Sequence, residues 1–368
     1  MRSEWRPVRV ADVIDFNPTL RLPKGSCAPK VAMDKLLPFT KRIDGFTMET
    51  YSGGAKFCNG DTIMARITPC LENGKTAFVD ILKDDEIGYG STEYIVLRAK
   101  AGITDPQYVY YLATSPDFRH VAIKSMVGSS GRQRVQQSVL NEMMILLPPL
   151  HEQAEIGRYL SMLDDQIALN NRINDNLLQQ AQAVYVSIFI TDANPSWPIG
   201  HLSDLITVKY GKDHKKLSDG SFPVYGSGGI MRYVERPLYT EESVLIPRKG
   251  TLNNVMYVSE PFWSVDTMFY SKMRVPNVAK YVYHFLRGKD LASMNAGSAV
   301  PSMTTDIINA LELVIPPTSV LAEYEAIVAP MYKMMQANTQ ESKRLANIRD
   351  ALLPKLMSGE IDVSSITL

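Results

Sequence analysis

The sequence predicts an α+β fold: two similar globular domains in a pseudo-two-fold arrangement, separated by two long antiparallel coiled-coil helices. Three observations predict it. The chain repeats itself at the scale of a domain, and each repeat opens with short strand-like runs and closes on a long helical pattern. The two helical patterns also carry the same seam in the same phase.

The repeat begins with the first tryptophan. Residues 5–14 (WRPVRVADVI) align without a gap on residues 197–206 (WPIGHLSDLI). Tyr108-Val109-Tyr110-Tyr111-Leu112 returns as Tyr281-Val282-Tyr283-His284-Phe285, Gly128-Ser129 as Gly297-Ser298, and Leu147-Pro148-Pro149 as Ile315-Pro316-Pro317. The separation of matched residues shrinks along the repeat and then holds constant from the paired prolines onward. A unit of about 170 to 190 residues is too long for a solenoid repeat and close to a domain in size. The boundaries that follow are a first domain at 1–149, a helix and linker at 150–195, a second domain at 196–317, and a helix and tail at 318–368.

In the first domain, residues 61–67, 76–82, 92–97 and 143–147 are short apolar or β-branched runs between Gly, Asn and Asp clusters, and read as strands. Residues 243–246, 254–258, 267–270 and 311–315 occupy equivalent places in the second. Residues 105–114 and 279–287 read as short amphipathic helices carrying the YVY segments. After Pro148-Pro149 no proline recurs until Pro195, and apolar residues fall at three-four spacing: Ile156, Leu160, Leu163, Ile167, then Leu177, Ala181, Val184 and Ile188. The seam positions between them, Asn170 and Asn174, are polar. The second helix repeats the pattern with Tyr324, Val328, Met331, Met335, polar Asn338 and Ser342, then Leu345, Leu352 and Leu356, and only Arg349 breaks it. Such a seam over five heptads predicts that the helices pack on each other. A helix of about 37 residues is roughly 55 Å long at 1.5 Å per residue. Antiparallel packing brings the polar gaps together near the middle. Pro330, which lacks a backbone donor, predicts a kink or restart in the second helix.

Composition narrows the function classes. Hydrophobic residues make up 45% of the chain, which excludes wholesale disorder. No apolar run reaches the length of a membrane span, and the first residues lack a signal core, so a cytoplasmic protein without membrane contact is expected. Cys27, Cys58 and Cys70 are odd in number and all lie in the first repeat, against a disulfide framework. Net charge is zero, yet both globular domains carry a small basic excess, compatible with a nucleic-acid partner.

Catalytic constellations are not evident. Gly74-Lys75-Thr76 resembles the end of a phosphate loop, but Pro69 stands where its leading glycine is needed. Asn17-Pro18-Thr19 is not an amino-methyltransferase motif, and Asp213-His214-Lys215 lacks an upstream metal-binding carboxylate. No two of the five histidines pair at i, i+4, so neither a catalytic nor a metal site is expected. What remains is a set of polar and basic loops suited to phosphate positioning and base-edge hydrogen bonding. In the first domain the candidates are Arg66, Thr68, Asn73, Lys75, Arg132 and Arg134. In the second they are Lys212, Lys215, Lys216, Tyr225, Ser227, Arg248, Lys249 and Ser298, with Arg248 falling on the place of Arg66.

The C-terminal run 348–361 (IRDALLPKLMSGEI) resembles the closing signature of type I restriction-modification specificity subunits, and residues 148–153 (PPLHEQ) resemble the entry to their central helix. Residues 60–70 (GDTIMARITPC) and 223–229 (PVYGSGG) look like strings of their target recognition domains. The departure is at 318–323 (TSVLAE), where the second entry lacks Leu-x-Glu-Gln, which touches partner contacts rather than fold. The resemblance implies a non-catalytic chain with no cofactor of its own. It would bind double-stranded DNA, each domain reading one half of a bipartite site, while the helix pair sets the spacer and docks methyltransferase subunits. Those subunits would hold S-adenosylmethionine, and restriction subunits would use ATP and Mg. A stand-alone DNA-binding or scaffold protein with another effector is the alternative.

Overall fold

The computed structural model describes residues 4–294 and 302–363. Its contacts divide into two compact units, Met1–Arg172 with Asn338–Leu368, and Ile173–Ala337, so each unit takes a part of both long helices.

In the first unit β1 (Ile14–Phe16), β2 (Thr62–Ala65), β3 (Thr76–Phe78) and β4 (Tyr94–Ala99) form an antiparallel sheet of order β1-β4-β2-β3. The alternation of β2 and β4 is what makes them central. Met64, Ile95 and Leu97 join one core cluster with the tyrosines of a short helix, while Ile63 and Val96 join another with Val31 and Phe57. Strand side chains alternate between faces, so this sheet is buried on both. Each such side chain contributes about 1.5–3 kcal/mol on burial. A second sheet centres on Cys27–Val31, which pairs antiparallel with Thr47–Thr50 and parallel with Gly88–Gly90. A ribbon of Arg6–Arg9 with Met144–Leu147 closes the domain just before the long helix.

Helix α1 (Pro106–Thr114) begins where Asp105 accepts a hydrogen bond from the Tyr108 amide at 2.9 Å, with proline in its first turn. It ends at Ser115, which caps the next helix in turn. Helix α2 (Leu150–Val186) crosses α1 at Gly157, where a Cβ would sit 2.8 Å from that of Gln107. Any side chain there would force the two apart. The fully buried Gln153 fixes the entry: its Oε1 accepts from the Asp105 amide at 3.0 Å and its Nε2 donates to Pro148 O at 2.9 Å.

The second unit repeats this plan. Strands β5 (Ile206–Tyr210), β6 (Ser243–Pro247), β7 (Met256–Val258) and β8 (Met268–Met273) form a sheet of order β5-β8-β6-β7. Asp219–Gly226 lies between antiparallel Gly229–Val234 and parallel Trp263–Ser264, and Ile199–His201 pairs with Glu312–Val314. The antiparallel pairing of Phe57 with Gly88 in the first unit returns in the second as a single bridge between Tyr239 and Phe262. Helix α3 (Ala279–Arg287) occupies the place of α1, and α4 (Thr318–Met357) follows.

Helix α4 runs through Pro330 without a break, against the expected restart. A proline inside a helix costs about 3 kcal/mol, and the complete burial of Tyr324 and Val328 in the turns before it, with Met331 and Tyr332 packed on the same core just after it, offsets that cost. In the first unit the two helices run antiparallel: Asp164 meets Arg349, while Asn170 Nδ2 donates to Glu341 Oε2 at 3.0 Å. In the second unit Asn174 Nδ2 donates to Met335 O at 3.3 Å, and the Phe189 and Tyr324 rings lie 5.1 Å apart. The seam asparagines therefore have partners. Ile156, Leu160, Asn170, Tyr324 and Val328 are buried, and Leu163, Ile167, Asn174, Leu177, Met331, Met335, Asn338, Leu345 and Leu352 are half-buried. Past Ala181 the buried positions are Tyr185 and Phe189, not Val184 and Ile188, as the helix gives way to the π-helical turn Ser187–Thr191.

Candidate nucleic-acid interface

Arg66 is the first residue beyond β2. Its amide donates to Glu93 O at 2.9 Å, and its carbonyl accepts from the Val135 amide at 2.9 Å, while Ile67 and Arg134 form a β-bridge. The backbone is thus held from two sides by segments distant in sequence. The side chain is half-buried; its Nε is buried without a partner and Nη2 reaches Val135 O only at 3.5 Å. Arg66 lines an open cleft of about 410 Å³ with Asn17, Thr19, Lys56 and Thr92. Beside it the Glu93 carboxylate receives Arg134 in a fork, Nη2 to Oε1 at 2.6 Å and Nε to Oε2 at 2.9 Å. That hydrogen bonding, with the nearby positive charges of Arg134 and Arg66, holds Glu93 below the usual carboxylate range.

Arg248 repeats the backbone arrangement. It follows β6, its amide donates to Thr267 O at 2.9 Å, its carbonyl accepts from the Met303 amide at 2.8 Å, and Lys249 bridges Ser302. Its side chain differs: the guanidinium lies 5.3 Å from the centre of the half-exposed Tyr210 ring, and Nη1 donates to Asp266 O at 3.3 Å. Gly250, at φ +84, is packed against Ser227, whose hydroxyl would lie 2.5 Å from a Cβ. Asn254 Nδ2 donates to Ser227 O at 2.8 Å, so the glycine turn and the Arg248 loop form one surface.

Several expected contact residues have other work. The Arg134 guanidinium is committed to Glu93 and is not free for a phosphate. Lys75 Nζ donates to Met33 O at 2.9 Å, tying two loops together. Tyr225 is half-buried and packs its ring against Phe262 at the edge of the core, where the strand register shifts between Val224 and Tyr225. Thr68 is half-buried, its hydroxyl 3.5 Å from Met126 sulfur. Asn73, Arg132, Lys212, Lys215, Lys216 and Lys249 are exposed. Ser298 lies outside the described residues. Glu93, Tyr210 and Thr267 were missed. A partner strand read outward from Arg66 or Arg248 identifies Glu93 and Thr267, but nothing in the sequence marks Tyr210.

Among the described residues no His, Cys, Asp or Glu cluster could hold a metal ion, and no helix is long and apolar enough to cross a membrane. Two copies of one mixed fold, each ending a central strand in a backbone-clamped arginine, define a reader with two related heads. The family model of the type I restriction modification DNA specificity domain matches residues 2–179 and again 195–348, one match on each repeat. The chain belongs to that family, whose members recognise DNA and are not the catalytic chains of their systems. It is 24% identical over 304 residues to the MjaIX specificity subunit of Methanocaldococcus jannaschii, covering 71% of this chain and 70% of that one. To the HindI specificity subunit of Haemophilus influenzae it is 21% identical, covering 82% and 86%. The S subunit of a type I system from M. genitalium has the same fold, with a TM-score of 0.59 at 18% identity over 96% of both chains.

Proposed function

We propose that this chain selects a bipartite DNA site for a type I restriction-modification complex, with residues 1–149 reading one half-site and residues 196–317 the other. The single observation that carries the reading is the repeated arginine node. Arg66 and Arg248 stand on the same backbone framework in two domains whose surrounding side chains differ, which suits two half-sites of different sequence. Arginine is the side chain best matched to the O6 and N7 acceptors of guanine in the major groove. The exposed Arg132, Lys212, Lys215 and Lys216 supply phosphate contacts, which position a reader without conferring sequence preference.

The helix and linker at 150–195 and the helix and tail at 318–368 set the unread spacer and dock methyltransferase subunits. In that division of labour S-adenosylmethionine belongs to the methyltransferase subunits, ATP and Mg to restriction subunits, and the assembly works in the cytoplasm. Flipping the target base is the methyltransferase's task. Methylation mapping of a host genome with and without this chain tests the proposal. Two constant half-sites at fixed spacing should gain methylated adenine only when the chain is present. An unchanged methylation map in a strain with functional partner subunits would overturn it.

A further inference from the structure

We propose that each half-site's identity is set at one further pair of positions beside the arginine: Glu93 with Arg134 in the first unit, and Thr267 with Ser302 in the second. The inference rests on the DNA-reading function above and names its specificity-determining residues. In both units these positions converge on the arginine through the same backbone bonds. Residues 93 and 267 accept from the arginine amide, and residues 134 and 302 lie next to the donors of its carbonyl bond, Val135 and Met303. A position held this way presents its side chain with little freedom to adjust, as discrimination between base edges requires.

The chemistry at the two nodes is opposite. In the first, Glu93 is an acceptor only, its side chain about a quarter exposed, and the Arg134 fork fixes its plane. A carboxylate beside a guanidinium fits a base pair that offers acceptors next to an exocyclic amine, and a carboxylate accepts from cytosine N4. Arg134 is here a positioning residue for Glu93. In the second node Thr267 and Ser302 are neutral hydroxyls, able to donate or accept, and Arg248 is laid over Tyr210. Those two positions offer no carboxylate to demand an amine. The first node therefore selects a G·C pair more stringently than the second selects its own.

The test uses the assembled complex and a library of bipartite duplexes randomised in both half-sites. The double variant E93T/R134S, which installs the second node's side chains, should relax preference about tenfold at one base pair of one half-site. The other half-site should be read as before. E93Q preserves the side-chain shape and guards against misfolding. It exchanges an acceptor oxygen for a donor amide, so it should shift preference at that same base pair, and R134K should weaken it without inverting it. Unchanged preference in E93Q would overturn the inference. So would a uniform loss of affinity across all sequences, which marks a phosphate contact. Absence of any bipartite selection by the parent complex would instead overturn the proposed function itself.

Discussion

Replacing Arg349 with methionine tests how the end of α4 is fastened within the first unit. Arg349 is the one residue that departs from the pattern the two seams share, and the structure shows its use. Its Nη1 donates to Asp164 Oδ1 at 2.5 Å, and the other oxygen of Asp164 accepts from Tyr111 Oη at 2.6 Å. The two charged side chains are only 6% and 12% exposed. Burial works against the Arg349 charge, but Asp164 and then Asp350 outweigh it and its pKa rises. Removing one partner of such a pair leaves a buried charge uncompensated, at a cost of about 3–5 kcal/mol. That is a large share of the roughly 5–15 kcal/mol that holds a domain folded. R349M should therefore lose about that much in urea denaturation, with hydrogen exchange accelerated through residues 338–357. D164N should lose less, because asparagine still accepts from Tyr111 and Arg349 keeps Asp350. The double variant D164L/R349M should recover much of the loss, since apolar groups of similar volume leave no charge behind. If the losses of D164L and R349M, each measured alone, add in D164L/R349M to within about 0.5 kcal/mol, the residues do not act as a pair and the reasoning fails.

Three further outcomes are expected. His284 is fully buried between Gln182 Oε1 at 2.7 Å from Nδ1 and Tyr332 Oη at 2.8 Å from Nε2, and burial, helped by Arg287, lowers its pKa to about 4. Since the unfolded histidine titrates near 6.5, stability present above that pH is lost progressively down to about 4, by about 3 kcal/mol in all. The parent minus H284N stability difference should slope across that window, and superimposed pH profiles would contradict it. Arg66→Ala or Arg248→Ala should each weaken specific DNA binding by about 1–3 kcal/mol, read by titration at fixed salt. Inserting one heptad into 157–187 should change the tolerated spacer or prevent assembly while leaving both half-site sequences as they were, which the duplex library reports directly.

Much of the plan was legible in the sequence because repetition and periodicity are properties of residue order. Most of the expected strands, such as Thr62–Ala65 and Ser243–Pro247, fall within a residue or two of the observed ones, but Thr76–Phe78 stops four residues short of its expected end and Met268–Met273 runs three past its own. Both YVY helices and both long helices fall within a residue or two as well. The second sheet of each unit was not read, because Cys27–Val31 contains a proline and Gly88–Gly90 two glycines, both poor strand signals. Pro330 misled in the other direction: local propensity favours a break, and burial of its neighbours overrides it. At the candidate interface, residue type separates basic from apolar loops but not free from committed side chains. Lys75 and Arg134 look as available as Arg132 until Met33 O and Glu93 appear beside them. Those partners lie 42 and 41 residues away in the chain, beyond the reach of any local motif.

The repeat also explains why the two halves cannot be exchanged piece by piece. Tyr111 of α1 and His284 of α3 hold the same place in their YVY segments, and each meets a long helix at an equivalent position, Asp164 or Tyr332. The other long helix of each unit contributes Asp350 of α4 beside Arg349 in the first and Gln182 of α2 at the equivalent place in the second. The geometry is constant while the chemistry is not: a phenol donates to a carboxylate in the first unit, and a phenol meets an imidazole in the second. Moving α3 onto the first unit's helices would set His284 against Asp164, where it would gain a proton and a charge and compete with Arg349. Moving α1 onto the second unit's helices would set Tyr111 against Tyr332 and leave Gln182 without its ring nitrogen. A buried polar group without its partner costs about 1–3 kcal/mol. A recognition domain that is to be transplanted must therefore carry along the long-helix residues facing its YVY segment, and the smallest exchangeable piece is larger than the globular domain alone.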